Sequence, residues 1–235
     1  MIEPLSNQKA LPHHIGFIVD GNRRWAKEKG LPTFMGHKKG AERIEEIVKY
    51  AQDLGIKIVT IYAFSTENWK RAEKEVSYLM KLFKGFAINK MKDADKRGIK
   101  VRILGNLQGL PSSLQKVLRK AIDLTKDNQK MIVNIALNYG GRDEIIRTFR
   151  KLTALGFKSE EITEELINQN LDTAGLPDPD FIIRTSGEQR LSNFLPWQAT
   201  YSELYFPKVK WPDFDKKQLD IAILEFQRRQ RMLGQ

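Results

Sequence analysis

The sequence predicts one α/β domain in which a six-stranded, mostly parallel sheet carries helices on both faces. Its apolar runs, such as residues 58–64, are continuous rather than alternating, as in strands buried on both sides. Segments with apolar residues three or four positions apart separate these runs, which is typical of crossover helices in a parallel sheet. A length of 235 residues suits one large domain. We therefore expect a single domain over residues 1–235, with residues 1–12 flexible.

The predicted strands and helices alternate along the chain. The first strand ends at the polar Asp20, and the first two helices are recognised by apolar faces that include Ile47 and Val48 in one and Leu79 and Phe83 in the other. Pro111 and the two serines after it mark the start of the third helix. The predicted strands are 15–19, 58–64, 101–104, 131–137, 181–183 and 204–206, and the predicted helices are 38–53, 73–97, 112–127, 142–155, 159–169 and 215–231.

The composition narrows the possible partners. Lys and Arg number 40 against 29 Asp and Glu, a net charge of +11, which indicates an anionic partner: nucleic acid, an acidic membrane surface or a phosphorylated substrate. The chain has no cysteine, which excludes disulfides, thiolate zinc sites and thiol nucleophiles. No signal peptide or apolar stretch of membrane-spanning length is visible in the sequence. We therefore expect a cytoplasmic protein with at most peripheral membrane contact.

Polar loops follow four of the predicted strands, at residues 20–24, 65–71, 138–142 and 184–190. Ligands of open parallel sheets bind beyond the carboxyl ends of the strands, so these loops should meet at one edge. In the first loop, backbone N–H groups and two arginines suit a diphosphate, and Asp20 among them suits a Mg²⁺ ligand. An ordinary turn explains Asp20-Gly21-Asn22 equally well.

The other candidate residues also have simpler explanations. Ser65 or Thr66 suits a helix N-cap, and an isolated arginine is usually a solvated surface residue. His37 could donate to a phosphate at a helix start or serve as a surface cap. The P-loop, the dinucleotide-binding glycine fingerprint, the Gly-x-Ser-x-Gly elbow and the aromatic RNA-binding pattern are all missing from the sequence.

Seven blocks of the sequence carry a recognisable pattern: 14–26, 36–40, 62–69, 138–142, 180–188, 190–194 and 203–206, with Trp197, Trp211 and Pro212. In this order along the chain, they resemble the cis-prenyltransferases, and most closely the bacterial undecaprenyl diphosphate synthases. The resemblance extends from about residue 12 to 233. It implies the six-stranded fold of that family, a homodimer and a hydrophobic tunnel. It also implies elongation of an allylic diphosphate, such as farnesyl diphosphate, by isopentenyl diphosphate with Mg²⁺.

The resemblance also implies roles for individual residues. Asp20 would hold Mg²⁺ with Glu203 as a second carboxylate, and Asn68, the other catalytic candidate, would orient the substrate, because a neutral amide is a poor base. Arg71 would close over the site from a mobile loop. The remaining substrate-binding candidates are Gly21, Asn22, Arg23, Arg24, Thr33 and His37 for the allylic diphosphate, Arg184, Arg190, Leu191 and Ser192 for isopentenyl diphosphate, and Trp25, Ser65, Thr66, Glu67 and Trp69 for positioning the reacting chains. Candidate tunnel walls are Ala63, Leu79, Phe83, Met131 and Val133.

The sequence departs from the family pattern at three places. Thr33 stands where the family often has Arg, Gln189 where it often has His, and Met232 where it has the first residue of a C-terminal Arg-x-Gly. Two other functions remain open: a catalytically silent subunit of such an enzyme, and a basic nucleic-acid-binding domain. The retained Asp20 and the arginines favour the enzyme, and we expect no nucleic-acid partner. The helix at 73–97 shows no insertion, which favours a product near the length of a bacterial lipid carrier.

Overall fold

Six parallel strands in the order β3-β4-β2-β1-β5-β6 form the centre of the computed structural model, which describes residues 11–229. All five strand pairs are parallel, so the predicted fold class is confirmed. The expectation of flexibility at residues 1–12 falls almost entirely outside the described residues. The strands are β1 (His14–Ile18), β2 (Ile58–Ser65), β3 (Ile99–Leu104), β4 (Met131–Tyr139), β5 (Phe181–Arg184) and β6 (Glu203–Tyr205).

Seven α-helices accompany the sheet within the described residues. Six of them correspond to predicted helices, and the additional one, α1, occupies a segment that the sequence presents as a turn. Its seven residues bury only Trp25 and Ala26, too few to give a recognisable helical period. The helices are α1 (Asn22–Glu28), α2 (Thr33–Asp53), α3 (Glu73–Lys96), α4 (Ser112–Thr125), α5 (Gly141–Ala154), α6 (Glu164–Asn168) and α7 (Lys216–Arg228).

Both faces of the sheet are buried. Successive side chains of each strand point to opposite faces, so each strand contributes to the packing on both sides. Phe17 of β1 packs on one side against Trp211 and Phe214, with ring centroids 5.7 and 6.2 Å away, in the core shared with α2 and α7. Ile18 packs on the other side with Phe194. Burying one such side chain stabilises the fold by roughly 1.5–3 kcal/mol. The central strand is therefore fixed from both sides.

The strand register determines which residues reach the carboxyl edge of the sheet. Ile18, near the end of β1, pairs with Tyr62 of β2 and with Arg184 of β5. Three residues later, Gly21 has φ 101°, and a Cβ at this position would overlap Ser186 Oγ. Only glycine avoids both costs. This sharp turn leads directly into α1 and leaves Asp20 at the edge.

Candidate active site

A cavity of about 1110 Å³ lies at the carboxyl edge of the sheet. It is bounded by the ends of β1, β2 and β5, by α1, by the start of α2, and by the segment that follows β2. Most residues predicted from the sequence meet here. Those that line the cavity are Asp20, Gly21, Asn22, Arg23, Arg24, Thr33, His37, Ser65, Glu67, Asn68, Arg71, Arg184 and Ser192.

Asp20 is held by contacts on both carboxylate oxygens. Oδ1 accepts a hydrogen bond from the Gly21 N–H at 2.6 Å and lies 3.3 Å from Arg24 Nη2. Oδ2 accepts from Arg184 Nη2 at 2.9 Å. Oδ2 accepts only this one bond from the described residues and keeps a further lone pair, and the side chain is 29% exposed toward the cavity. The carboxylate is therefore fixed in place and still able to bind a cation.

Arg184 is a nearly buried cation at the base of the site, only 6% exposed in its side chain. Its Nη1 donates to Ser192 Oγ at 2.7 Å and to the Arg190 carbonyl, which ties β5 to the loop that follows it. Its buried Nε has no hydrogen-bond partner among the described residues. Ser192 and Asn193 adopt positive φ angles of 49° and 69°, conformations that persist where the surrounding structure enforces them. This loop is thus built around the guanidinium.

A second carboxylate, Glu188, bridges Arg24 on α1 and Arg190 in the loop after β5. Glu188 accepts from Arg24 Nη1 at 2.8 Å and from Arg190 Nη1 at 2.6 Å. Hydrogen bonds from Arg190 and Arg24 hold the pKa of the Glu188 carboxyl below its usual range. The Arg190 side chain does not line the cavity itself, and it reaches the site through this bridge.

The opposite wall contains a cluster of four residues, Glu75, His37, Arg71 and Arg23, which we call the Glu75 cluster. Sequence reasoning predicted the last three as site residues and missed Glu75. Glu75 Oε1 lies 3.1 Å from both His37 Nε2 and Arg71 Nη1, and Oε2 lies 3.8 Å from Arg23 Nη1. Burial lowers the pKa of the His37 imidazole, although the hydrogen bond to Glu75 opposes this shift. His37 lies inside α2 and is buried, so a surface cap does not describe it, and its role as a phosphate donor stays a prediction. An acidic residue four positions after Arg71 was the available signal.

The segment after β2 forms a short 3-10 helix, Thr66–Lys70, where the sequence predicted a loop. Ser65 is its N-cap, and the Ser65 N–H donates to Asn68 Oδ1 at 3.1 Å. Glu67 accepts from Asn193 Nδ2 at 2.9 Å. Burial raises the pKa of Glu67, but a backbone N–H and hydrogen bonds from Asn193, Ser65 and Thr66 outweigh burial and lower it overall. The Asn68 amide oxygen is thereby committed to the backbone, which fixes the orientation of the amide.

Five predicted substrate-binding residues lie outside the cavity lining. Trp25 points into the protein, where its Nε1 donates to Asp213 at 2.8 Å, because α1 turns this side chain inward. Trp69 donates to Asn138 at 2.7 Å and contacts Phe64 edge-on. These two side chains support the walls from behind rather than facing a ligand. The others are Thr66, Arg190 and Leu191.

Glu203 does not reach Asp20 within this chain, so the expected second carboxylate beside Asp20 is not found there. Glu203 begins β6 and pairs with Phe181, which pairs with Ile15 of β1. It is thus level with a residue five positions before Asp20, roughly 15 Å back along the strand direction. Glu203 Oε2 instead accepts from Arg229 Nη1 at 2.8 Å. Within residues 11–229, no three His, Cys, Asp or Glu side chains are grouped as a metal cage requires.

The three departures from the family pattern lie in different surroundings. Thr33 begins α2 and lines the cavity as an exposed residue. Gln189 is exposed in the loop after β5. Met232 lies outside the described residues.

A smaller apolar cavity of about 160 Å³ lies between α2, α3 and the sheet. Phe83 and Val133 line it, whereas Ala63 and Leu79 line the larger cavity, and Met131 lies in the core without lining either one. Ala63, Leu79 and Phe83 belong to one apolar cluster. The two cavities are therefore joined by a continuous region of apolar packing.

Comparison with known proteins identifies the family. The sequence profile of the family described as "Putative undecaprenyl diphosphate synthase" matches residues 18–234. The chain belongs to this family. An isoprenyl transferase of Agrobacterium fabrum is 46% identical over 235 residues, covering 98% of this chain and 95% of its own length. One from Clostridium perfringens is 46% identical over 228 residues, covering 95% and 90%. The chain is therefore a transferase of the undecaprenyl diphosphate synthase type, as the sequence blocks predicted.

Solved structures of this type share the fold. Lavandulyl diphosphate synthase from Lavandula x intermedia, in complex with dimethylallyl diphosphate, matches with a TM-score of 0.92 at 35% identity, covering 96% of this chain and 99% of that one. A "probable undecaprenyl diphosphate synthase" of Campylobacter jejuni matches with a TM-score of 0.80 at 29% identity, covering 97% and 100%. Among residues 11–229, no helix combines the length and apolar character needed to cross a bilayer.

Proposed function

We propose that this prenyltransferase elongates an allylic diphosphate, such as farnesyl diphosphate, with isopentenyl diphosphate. The new double bonds are cis, and the product is a polyprenyl diphosphate of the length of a bacterial lipid carrier, undecaprenyl diphosphate. One observation carries the proposal. A cation-lined cavity with a fixed carboxylate, Asp20, lies above an apolar cavity between α2 and α3. Such a pair of cavities fits a charged head and a growing hydrocarbon tail. The allylic diphosphate bound to the Lavandula neighbour supports this assignment.

Each elongation breaks the allylic C1–O bond, joins that carbon to the terminal alkene carbon of isopentenyl diphosphate, and releases one proton. Negative charge accumulates on the departing diphosphate, so fixed cations around it lower the barrier. Arg23 and Arg24 are these cations in the proposal, the His37 imidazole adds a hydrogen-bond donor, and Arg184 with Ser192 binds the isopentenyl diphosphate. Asn68 orients the reacting alkene, and a diphosphate oxygen takes the proton, because the amide is a poor base.

The donor set of the site fits Mg²⁺. This ion is typically held by one or two carboxylates together with substrate phosphate oxygens and water, rather than by a cage of protein ligands. Asp20 supplies such a carboxylate at the cavity wall, and its Oδ2, which accepts one hydrogen bond within residues 11–229, retains a free lone pair. Bound there, Mg²⁺ would neutralise charge on the leaving diphosphate.

The apolar cavity gives the product tail a favourable environment. Burying a CH₂ group is worth roughly 0.8 kcal/mol, so each five-carbon unit gains a few kcal/mol on leaving water. This apolar cavity between α2 and α3, which we call the lower cavity, is small, about 160 Å³. A long product therefore requires displacement of packed side chains. In the proposal, the residues around it determine when growth stops.

The homodimer implied by the family resemblance also belongs to the proposal. Ile146 and Phe149 lie three positions apart on α5 and are 50% and 42% exposed, and Leu155 just beyond the helix is 63% exposed. Neighbouring exposed apolar side chains mark interaction surfaces, and we assign the surface formed by Ile146 and Phe149 to a second copy of the chain. Phe149→Asp should produce monomers in sedimentation, whereas Leu124→Asp on α4 should not. A wild-type monomer at micromolar concentration would contradict this part.

The central test is incubation with farnesyl diphosphate, labelled isopentenyl diphosphate and Mg²⁺, followed by chromatography of the products. We expect a series of polyprenyl diphosphates that is lost on chelation of the metal and on Asp20→Ala. A wild-type protein that forms no elongated product under these conditions would refute the proposed function. An Asp20→Ala variant with full turnover would refute the metal role alone.

A further inference from the structure

Glu75 is an acidic residue among groups that otherwise suit an anionic ligand. Its side chain is 15% exposed, and its carboxylate touches two groups that line the cavity, His37 and Arg71, and faces a third, Arg23. A carboxylate this poorly hydrated requires charged partners. The arrangement explains how three donors can remain together before any ligand is bound.

The charges of the Glu75 cluster do not balance internally. One carboxylate faces two guanidinium groups and one imidazole. The cluster therefore keeps a positive excess, which still attracts an anion. An incoming diphosphate offers more negative charge and more acceptor oxygens than the one carboxylate that it meets there.

The cluster also connects four separate parts of the chain. Arg23 lies on α1, His37 on α2 and Glu75 in the first turn of α3, while Arg71 follows the 3-10 helix that contains Asn68. Arg71 lies only three positions after Asn68. A change in the partners of Arg71 is therefore felt directly by the segment that orients the substrate.

From these contacts we infer that Glu75 is a positioning residue that acts as an internal anion. It holds His37, Arg71 and Arg23 in the empty site and yields them to the substrate diphosphate. Binding of the diphosphate is thereby coupled to the placement of residues 66–72. This inference rests on the proposed function for the diphosphate, but not for the empty-state contacts. It distinguishes Glu75 from a residue that merely stabilises the start of α3.

The first arm of the test measures binding of inorganic pyrophosphate by calorimetry. Glu75→Gln removes the competing anion, so pyrophosphate should bind about three- to tenfold more tightly, as expected for the loss of a few partly exposed ion pairs. Glu73→Gln is the matched control, because it removes the same charge from an exposed position in the same helical turn. The control should bind as the wild type does. Unchanged or weaker binding by Glu75→Gln would overturn the inference.

The second arm follows segment 66–72 directly. Trypsin cleaves after Lys70 and Arg71, so we expect Glu75→Gln without ligand to be cut several times faster there than the wild type or Glu73→Gln. Pyrophosphate should restore protection, because it replaces the missing carboxylate. Equal cleavage rates without ligand would overturn the inference even if pyrophosphate binding changed.

Steady-state kinetics give the third arm. Glu75→Gln should lower both KM for the allylic diphosphate and kcat, since the cations bind more readily but are less well placed, and Glu75→Asp should partly restore kcat. A rise in KM with unchanged kcat would indicate a merely structural role and overturn the inference. A wild-type protein that binds no diphosphate would refute the proposed function, and the ligand-free cleavage comparison would still decide the empty-state role of Glu75.

Discussion

Arg184 and Asp20 form an ion pair, 2.9 Å between Nη2 and Oδ2, in which the arginine is nearly buried and the carboxylate faces the cavity. The pair joins two neighbouring strands, because Arg184 ends β5 and Asp20 follows β1. Removing either partner would leave the other poorly compensated in a partly buried position. The geometry of the site therefore depends on the guanidinium as much as on the carboxylate.

We predict that Arg184→Lys lowers kcat about a hundredfold or more, as the loss of one preorganised charge contact does in other enzymes. A lysine cannot contact Asp20, Ser192 and the Arg190 carbonyl together, as the planar guanidinium does. Steady-state kinetics with both diphosphates check this. Arg119→Lys, at an exposed position of α4, is the control and should leave kcat unchanged. Near wild-type turnover by Arg184→Lys would show that the fork geometry is dispensable.

Gly21→Ala and Gly85→Ala should have opposite effects on stability. Alanine at Gly21 meets a positive φ and overlaps Ser186 Oγ, so we expect a loss of more than 1 kcal/mol together with lost activity. Gly85 lies within α3 with open space around its Cα, and alanine there should stabilise by roughly 0.5–1 kcal/mol. Urea unfolding of the two variants measures both effects. A Gly21→Ala protein as stable and active as the wild type would contradict the role of the turn.

Ala87→Leu should shorten the product. Ala87 lines the lower cavity on α3, and a larger side chain there takes up space that we assign to the growing tail. The expected result is a shift of the chromatographic product series by at least one five-carbon unit, with little change in the rate of the first condensation. Asn89→Leu introduces the same side chain on the exposed side of the same helix and should not change the series. Identical product lengths from the wild type, Ala87→Leu and Asn89→Leu would refute the assignment of the lower cavity to the growing tail.

His14 should make stability depend on pH. Burial lowers the pKa of its imidazole to about 4, although a hydrogen bond with the Pro177 carbonyl opposes the shift. Since the unfolded value is about 6.5, the unfolded chain binds the extra proton first as pH falls. The contribution of His14 is therefore complete above pH 6.5 and is lost as pH falls toward 4.

The loss from His14 should amount to about 2 kcal/mol between pH 7 and 5. Urea unfolding at these two pH values should show a smaller pH dependence for His14→Gln than for the wild type. His13→Gln, which alters the exposed neighbour, should keep the wild-type dependence. An unchanged dependence in His14→Gln would mean that the loss arises elsewhere.

The sequence was sufficient to predict the sheet and the edge at which the candidate residues meet. Continuous apolar runs identify buried strands, and the carboxyl ends of parallel strands share one edge of the sheet. The sequence alone therefore groups Asp20, Ser65 and Arg184 at that edge. The protein family was also recognisable, because the matching blocks follow the same order along the chain. These predictions depend only on local patterns and on their order in the sequence.

The errors arose where three-dimensional register or orientation decides. Glu203 follows the same family pattern as Asp20, yet the pairing of β6 places it at the other end of its strand. Trp25 adjoins the arginines in sequence, but α1 turns it toward Asp213. Glu75 lies outside every polar loop. Its spacing from Arg71 indicates that one contact, but its contacts with Arg23 and His37 form only where α1, α2 and α3 converge. Side-chain direction and edge-strand register are not encoded in residue spacing.

The two walls of the large cavity differ in what supports them. Asp20 and Arg184 are carried by β1 and β5, whose neighbours on both faces are packed. His37, Arg71 and Glu75 are carried by helices and by a short connecting segment. One wall thus belongs to the packed sheet, and we expect the other, which belongs to the helices and the connecting segment, to shift more easily relative to it. Substitutions in the sheet should misalign the reacting groups, whereas substitutions in α3 should change how often the site closes.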